Sequence, residues 1–297
     1  MNYQTTVKNV NEVLGQYEGL LTLRQIYYRL VANYGLANRR SSYNQLSKCL
    51  VKAREDGEVD DTRIADRSRN TEGGDFGFAS PKEYLTYKAD AFSSNNYTRK
   101  IWDDQPSYVE VWVEKDALSL VLGPALSGLR VVLAPSKGYS SYTFIKRMAV
   151  DERFSQVDKP IIILDFRDHD PSGIQMTEDL LRRFIKYQDP SMEITVKRIA
   201  LTIDQVREYK LEPNPVKLAD PRSSVYRASY GETCWELDAI PPNELTRIVQ
   251  EAVQREIDSE AWEKTRKASE IEKKKLQPKL DRMAAALKKM VEGELSD

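Results

Sequence analysis

Three aspartates, Asp165, Asp168 and Asp170, crowd the stretch Pro160-Ile-Ile-Ile-Leu-Asp-Phe-Arg-Asp-His-Asp-Pro-Ser-Gly173. Carboxylates this close repel one another unless a cation sits among them. Asp168 and Asp170 lie two apart, so in an extended segment they point the same way. Glu114, at the end of Tyr108-Val-Glu-Val-Trp-Val-Glu114-Lys115, offers a further carboxylate. A glutamate and a pair of aspartates can converge on a hard cation such as Mg²⁺, which takes oxygen ligands and keeps several waters. Such an ion polarises a phosphate and stabilises a departing oxygen. Two of the acids also have a structural role open to them: Glu114 as a solvated strand end, and Asp170, with Pro171 behind it, as a helix N-cap. Asp165 would face the other side or buffer Arg167. His169, between the paired acids, would point away from them.

The elements around these acids must deliver them to one place. Ile161 to Leu164 form an apolar run without alternation, which suits a strand buried on both faces, and Ile174, Met176, Leu180, Leu181 and Phe184 then follow at helical spacing. The acids therefore fall at the C-terminal end of a parallel strand, where open α/β sheets place their ligands. The same alternation extends in both directions: strand 107–113, helix 116–126, strand 129–134, helix 140–150, strand 160–166, helix 171–187, strand 192–201, helix 203–209. It predicts a mostly parallel sheet with helices on both faces. Pro213, Pro215 and Pro221 mark an irregular excursion over 211–235, and helix resumes near Asn243. The tail over 259–291, rich in Lys, Glu and Ala, is either an amphipathic arm for packing and self-association or a solvated single helix, which Pro278 breaks or kinks.

The N-terminal part reads differently. Helices are expected over 5–17, 23–34 and 43–55, followed by a turn at Asp56-Gly57 and a short extended segment, an order that fits a winged-helix domain. From Gly19 to Arg54 there is no Asp or Glu, yet Arg24, Arg29, Arg39, Arg40, Lys48, Lys52 and Arg54 all occur. Such segregation is the footprint of a phosphate-contacting module, or else a basic face compensated by acids elsewhere in space. The third helix would carry Lys48, Lys52 and Arg54 toward a groove. The expected organisation is a winged-helix domain over 1–69, a linker with a helix over 70–106, an α/β domain over 107–258 and a helical tail over 259–297.

Composition sets the outer limits. The chain has 297 residues, enough for one large domain or two ordinary ones. No apolar run approaches the ~20 residues of a membrane span and no N-terminal signal is evident, so a cytoplasmic, DNA-associated protein is expected. Cys49 and Cys234, without motif spacing, argue against a disulfide framework or a cysteine zinc site. With 45 basic and 46 acidic residues, net charge itself does not favour nucleic acid.

Val113-Glu114-Lys115, Lys137-Gly138-Tyr139 and Asp168-His-Asp-Pro-Ser-Gly173, in that order, resemble a Toprim domain. More narrowly they are similar to the version in the A subunit of topoisomerase VI and in the related meiotic double-strand-break protein. The resemblance covers about residues 20–200, and Glu236-Leu-Asp-Ala-Ile-Pro241 extends the same core. It implies a winged-helix domain followed by a Toprim domain, with Glu114, Asp168 and Asp170 as Mg²⁺ ligands. That family carries a nucleophilic tyrosine in a segment Arg-x-x-Tyr/Phe-Tyr, here Arg24-Gln-Ile-Tyr27-Tyr28. Tyr27 lies on the apolar stripe of its helix with Leu23, Leu30, Val31 and Tyr34. Tyr28 falls ~100° off that stripe and one turn from Arg24, which places a phenol and a guanidinium together on an exposed flank.

The implied chemistry is coherent. A phenol with a pKa near ~10 needs help to ionise at neutral pH, which Arg24 would give while holding the scissile phosphate. Mg²⁺ would assist the leaving sugar oxygen, and Lys137 and Gly138 would offer a charge and a backbone N–H to a phosphate. The product would be a covalent 5′-phosphotyrosine on double-stranded DNA. In the family, tyrosine and metal come from different protomers, so the resemblance implies a homodimer. Tyr28 stands almost at the start of the chain, where the family's topoisomerase subunits carry a segment that engages an ATPase partner. No G-x-x-x-x-G-K-[ST] loop occurs, so an ATPase, if one is used, would be a separate subunit. The expectation is a minimal, stand-alone version of the A subunit. Two rival functions stand beside DNA cleavage by Tyr28: a nuclease in which metal-bound water attacks, and a DNA-binding protein that does not cut.

Overall fold

The computed structural model describes residues 2–65, 78–93, 95–136, 145, 154, 157–187 and 191–293. The chain is α/β and divides into two compact units, one built from 1–68 and 107–256, the other from 69–106 and 257–297. This departs from the expected boundaries. The N-terminal helices and the sheet belong to one unit, and the expected linker joins the expected tail to make the second.

In the first unit, helix α1 (Tyr3–Gly15) leads to the short strand β1 (Leu21–Thr22) and helix α2 (Leu23–Tyr34). Helix α2 starts at a reciprocal capping box: Thr22 Oγ1 accepts from Gln25 N at 3.0 Å, and Gln25 Oε1 accepts from Thr22 N at 2.9 Å. It stops at Gly35, whose φ of 67° is left-handed and suits glycine. Helix α3 (Arg40–Glu55) follows, and then strand β2 (Ile64–Ala65), which pairs in parallel with β1. The expected extended segment therefore returns to the entrance of α2.

Beyond helix α4 (Pro81–Ser93), which belongs to the second unit, come strand β3 (Tyr108–Val113), helix α5 (Asp116–Leu126), strand β4 (Val132–Pro135) and strand β5 (Ile161–Phe166). Helix α6 (Pro171–Tyr187), strand β6 (Ile194–Ala200) and helix α7 (Ile203–Glu208) complete the alternation. The helix expected over 140–150 lies, apart from Ile145, outside the described residues, as do Lys137 and Gly138. The four strands form one parallel sheet in the order β4-β3-β5-β6. Trp112, Ile161, Ile163, Leu180, Phe184 and Ile194 pack together in its core. Each such side chain contributes about 1.5–3 kcal/mol by leaving water.

The stretch 211–235, expected to be irregular, holds a small module. Strand β7 (Asn214–Pro215) pairs antiparallel with strand β8 (Thr233–Cys234), and helix α8 (Ser223–Tyr230) lies between them. Two-residue strands and an eight-residue helix are too short to leave a periodicity. A tight turn of 3₁₀ helix at Leu237–Ala239 leads to helix α9 (Pro242–Gln254).

The second unit pairs α4 with the 35-residue helix α10 (Ser259–Gly293). Trp102 meets Trp262 edge-on at 5.8 Å, and the Gln105 amide exchanges hydrogen bonds with the Asp258 backbone at 2.8 and 3.2 Å. Pro278 sits inside α10 without ending it, so of the two expected effects a break does not occur, and packing along α4 offsets the loss of one backbone donor. Among the described residues, no helix is long and apolar enough to cross a membrane.

Candidate functional site

The sheet order reverses between β3 and β5, because β3 leads outward to β4 and β5 outward to β6. At such a switch point the strand ends open a crevice. Val113 pairs with Phe166 across it, so Glu114 and Arg167–Asp168 leave the sheet side by side. The Asp168 N–H donates to Glu114 Oε2 at 3.2 Å. Arg198, arriving from β6, donates to the Asp168 carbonyl at 2.7 Å and to the Gly173 carbonyl at 2.9 Å. Gly173 is required here: a Cβ would stand 2.1 Å from the Asp168 carbonyl oxygen.

The Asp168 carboxylate is engaged from two sides. Its Oδ1 accepts from Lys115 Nζ at 3.0 Å and from the Leu237 N–H at 2.8 Å. Lys115 Nζ also donates to Glu236 Oε2 at 3.1 Å and to Asp238 Oδ2 at 2.8 Å. Asp238 Oδ1 accepts in turn from Thr22 Oγ1 at 2.8 Å, and Glu236 binds the guanidinium of Arg24, which also lies over the Tyr43 ring at 5.1 Å. An unbroken ionic path thus runs from Arg24 on α2 through Glu236 and Lys115 to Asp168 at the sheet edge. Burial works to lower the Lys115 pKa, but the carboxylates of Asp168, Asp238 and Glu236 outweigh it and hold the ammonium well above its ordinary value. Burial pushes the Asp168 carboxyl up to about 7 against the pull of Lys115, with Glu114, Glu236 and Asp238 adding to the rise.

The other predicted acids have separate employments. Asp170 Oδ1 accepts from the Gly173 N–H at 2.7 Å and from Ser172 Oγ at 2.8 Å, so it caps α6 with Pro171 in the first helical position. Asp165 is fully buried, with both oxygens 2.8 Å from Arg167 Nε and one 2.6 Å from Thr177 Oγ1. His169 lies among Tyr226, Tyr230 and Trp235, with Nδ1 2.8 Å from the Tyr226 hydroxyl. Burial, helped by the charge of Arg198, lowers its pKa to about 4. Among the described residues no three His, Cys, Asp or Glu side chains group closely enough to hold a metal ion. The donor chemistry explains this. Asp170 is turned into its helix, Glu114 takes the Asp168 N–H, and Lys115 fills the cation position beside Asp168. The expected Mg²⁺ triad of Glu114, Asp168 and Asp170 does not fit the arrangement present.

A cleft of about 730 Å³ opens beside this network, with Arg24, Tyr28 and Tyr43 on one side and Asp170, Asn214 and Glu236 on the other. Tyr28 lines it but is only 3% exposed, so the expected exposed flank is not found. Helix α2 is buried all round from Gln25 to Val31 because the turn at 237–239 packs on it in addition to α1 and α3. Tyr27, 4% exposed, is as buried as its neighbour. The two differ in their hydroxyls. Tyr27 Oη accepts from Arg39 N at 2.8 Å and stands 3.0 Å from Asn38 Oδ1 and 3.2 Å from the Arg39 carbonyl. Tyr28 Oη accepts from the Asn214 amide at 2.8 Å. Burial raises the Tyr28 pKa above that of a free phenol and the Glu236 charge adds to it, while Asn214, Arg24 and Lys115 pull it down.

The predicted basic residues separate as well. Arg39 and Arg40 are exposed on the cleft, and Lys48 and Lys52 are exposed along α3, Lys52 lying 4.9 Å from the Tyr3 ring centre. Arg54 is half-buried, its Nε 3.3 Å from the Leu50 carbonyl. Arg29, expected on the basic surface, is buried and donates to the Ala239 carbonyl. The residues that tie the site together, Thr22, Lys115, Asn214, Glu236 and Asp238, were not among the expected site residues. The signal available for two of them was the acid pair Glu236 and Asp238 in Glu236-Leu-Asp-Ala-Ile-Pro241, spaced like Asp168 and Asp170. The chain matches no protein-family model and no curated protein, so its site is read from its own residues.

Proposed function

We propose that the chain binds double-stranded DNA and cleaves it by transesterification at Tyr28. The observation that carries this reading is the position of the Tyr28 phenol on a cleft lined also by exposed Arg39 and Arg40, with Arg24 beside it. In the reaction Tyr28 Oη attacks a backbone phosphorus and the bond from phosphorus to the sugar 3′-oxygen breaks. The phenol gives up its proton, the 3′-oxygen leaves as a hydroxyl, and the 5′-phosphate stays on tyrosine. The Asn214 N–H donated to Oη stabilises the phenolate as it forms, and Arg24 is the cation nearest to hand for the phosphate. Arg24 reaches that phosphate by exchanging Glu236 for it. Because the Mg²⁺ triad is not assembled, no step is assigned to a metal. The order of elements, three helices and then a four-stranded parallel sheet, supports a winged-helix domain followed by a Toprim domain, and a double-strand break calls for a homodimer because each strand needs its own tyrosine.

One observation favours a second reading. Asp168, Glu236 and Asp238 are all engaged in ion pairs, with Lys115 and, for Glu236, Arg24, as befits a DNA-binding protein that does not cut. Labelled plasmid incubated with protein and Mg²⁺, then denatured with and without protease, separates the two. Cleavage predicts DNA trapped with protein, released by protease and abolished by Tyr28→Phe. Free ends made equally by wild type and Tyr28→Phe overturn the role of Tyr28 in favour of a water nucleophile. Retained binding with no breaks under any divalent ion establishes the non-cleaving reading.

A further inference from the structure

We propose that the second unit carries a binding surface for single-stranded nucleic acid, built from Phe78, Tyr84 and Tyr87 with Lys88 at its side. Helix α4 packs along α10 and buries Ala89, yet leaves larger side chains outside: Phe78 is 45% exposed, Tyr84 43% and Tyr87 56%. The Phe78 ring centre lies 5.0 Å from that of Tyr84 and 5.4 Å from that of Tyr87, so the three rings form one patch. A contiguous exposed patch, unlike a lone exposed side chain, marks a place of interaction. The helix entrance holds it together. Ser80 Oγ accepts from the Glu83 N–H at 3.1 Å, and Glu83 Oε2 from the Ala79 N–H at 2.6 Å, which fixes Phe78 against the first turn. That cap employs Phe78 and Tyr84 but gives no use to Tyr87 or Lys88. The Lys88 ammonium stands 5.3 Å from the Tyr84 ring centre and 5.9 Å from that of Tyr87. Aromatic surface edged by a cation matches a nucleotide, which offers a flat base to stack and a phosphate to pair. Only an unpaired strand has its bases free to stack, so the ligand is single-stranded. Charge selects this ligand over a second copy of the chain. The stretch 273–293 of α10 holds seven basic and two acidic residues, and Lys288 reaches Asp90 of α4 at 3.6 Å. Two copies packed about a twofold axis here would set like charges together, whereas a phosphate backbone is attracted. Tyr28 belongs to the other unit, so this surface stands whether or not Tyr28 cleaves.

Binding of labelled oligothymidine of about 20 nucleotides to the full chain, followed by fluorescence anisotropy beside a duplex of the same length, tests this. Tyr28→Phe serves as the parent, so that no covalent adduct contributes. Tyr87→Ala is expected to weaken oligothymidine binding at least about fivefold, and Tyr87→Phe, which keeps the ring, to leave it within about twofold. Duplex binding should change by less than about twofold in both. Lys88→Gln should lower the slope of log affinity against log salt by about 0.7, the share of one phosphate on a single strand. Tyr87→Trp should add a fluorescence signal that oligothymidine quenches, a signature of stacking that a change of fold would not give. No oligothymidine binding by the parent, or equal affinity of parent and Tyr87→Ala, overturns the proposal. So does an equal loss on the duplex, which would make the patch a general backbone contact. A fall in the mass of the chain in solution on Tyr87→Ala would overturn it in favour of an interface between copies.

Discussion

In the proposed reaction the attacking group, the Tyr28 phenol, is a side chain that the fold buries. Burial with the nearby Glu236 charge raises its pKa, so at neutral pH it stays protonated. Adduct formation on DNA should therefore increase as pH rises through the alkaline range, because the attacking phenolate becomes more populated. A rate that is flat from neutral pH upward would show that proton loss is not limiting. Tyr28→Phe keeps the ring and loses the oxygen, so it should abolish the adduct while costing only about 1 kcal/mol through the lost Asn214 bond. His169, the one histidine of the chain, gives a second residue-level test. Its folded pKa is lowered to about 4, against roughly 6.5 when unfolded. Between those values the unfolded chain binds a proton that the folded chain refuses, so this stability is present above about 6.5 and lost as pH falls through about 4. The full effect is roughly 3 kcal/mol. Asp168, raised to about 7, has a slope of opposite sign in an overlapping window, so the informative quantity is the difference between wild type and His169→Asn in urea unfolding. That difference should grow from pH 4 to 6.5, and the single imidazole resonance should titrate near 4.

At the scale of elements, the start of α6 carries the most concentrated local constraint. Asp170 caps the helix and Gly173 lets its first turn pass the Asp168 carbonyl. Asp170→Ala should cost about 1 kcal/mol in thermal or urea unfolding, whereas Asp170→Asn, which caps as well, should change stability by only a few tenths. DNA cleavage should survive Asp170→Asn if the carboxylate serves the helix alone. Gly173→Ala should destabilise by about 1–3 kcal/mol, because the backbone beneath Asp168 must move to admit a methyl group. This start was legible in the sequence, since Asp-Pro followed by an apolar stripe is a local signal, and so was the run of parallel strands that ends at Glu114 and Asp168. The all-round burial of α2 was not legible. Its stripe reflects packing on local neighbours, but further cover comes from residues 237–239, some two hundred positions away. The Lys115 cluster was hidden for the same reason. Lys115, Thr22, Asp168 and the pair Glu236 and Asp238 come from four distant segments, and no periodicity connects them.

The whole first unit turns on the path from Arg24 through Glu236 and Lys115 to Asp168, which lies within one chain. The family resemblance pairs the tyrosine of one protomer with the acids of another. Here Tyr28, Asp170 and Glu236 line one cleft of a single chain. Two copies are still needed to cut both strands, so the mass in solution should be that of a dimer, but each copy should use its own tyrosine with its own sheet edge. Mixing distinguishes the two arrangements. Tyr28→Phe should be inactive alone for want of the nucleophile and Asp168→Asn because it undoes the Lys115–Glu236–Arg24 path that positions the guanidinium, and exchanging subunits between them should not restore the protein–DNA adduct, because every protomer then lacks one half of its site. Restored adduct on the Asp168→Asn chain would show that its tyrosine works against the partner's acids. The intrachain path would then be a resting contact that opens when DNA enters: Glu236 would release Arg24 to the phosphate, and the cleft would admit the second copy.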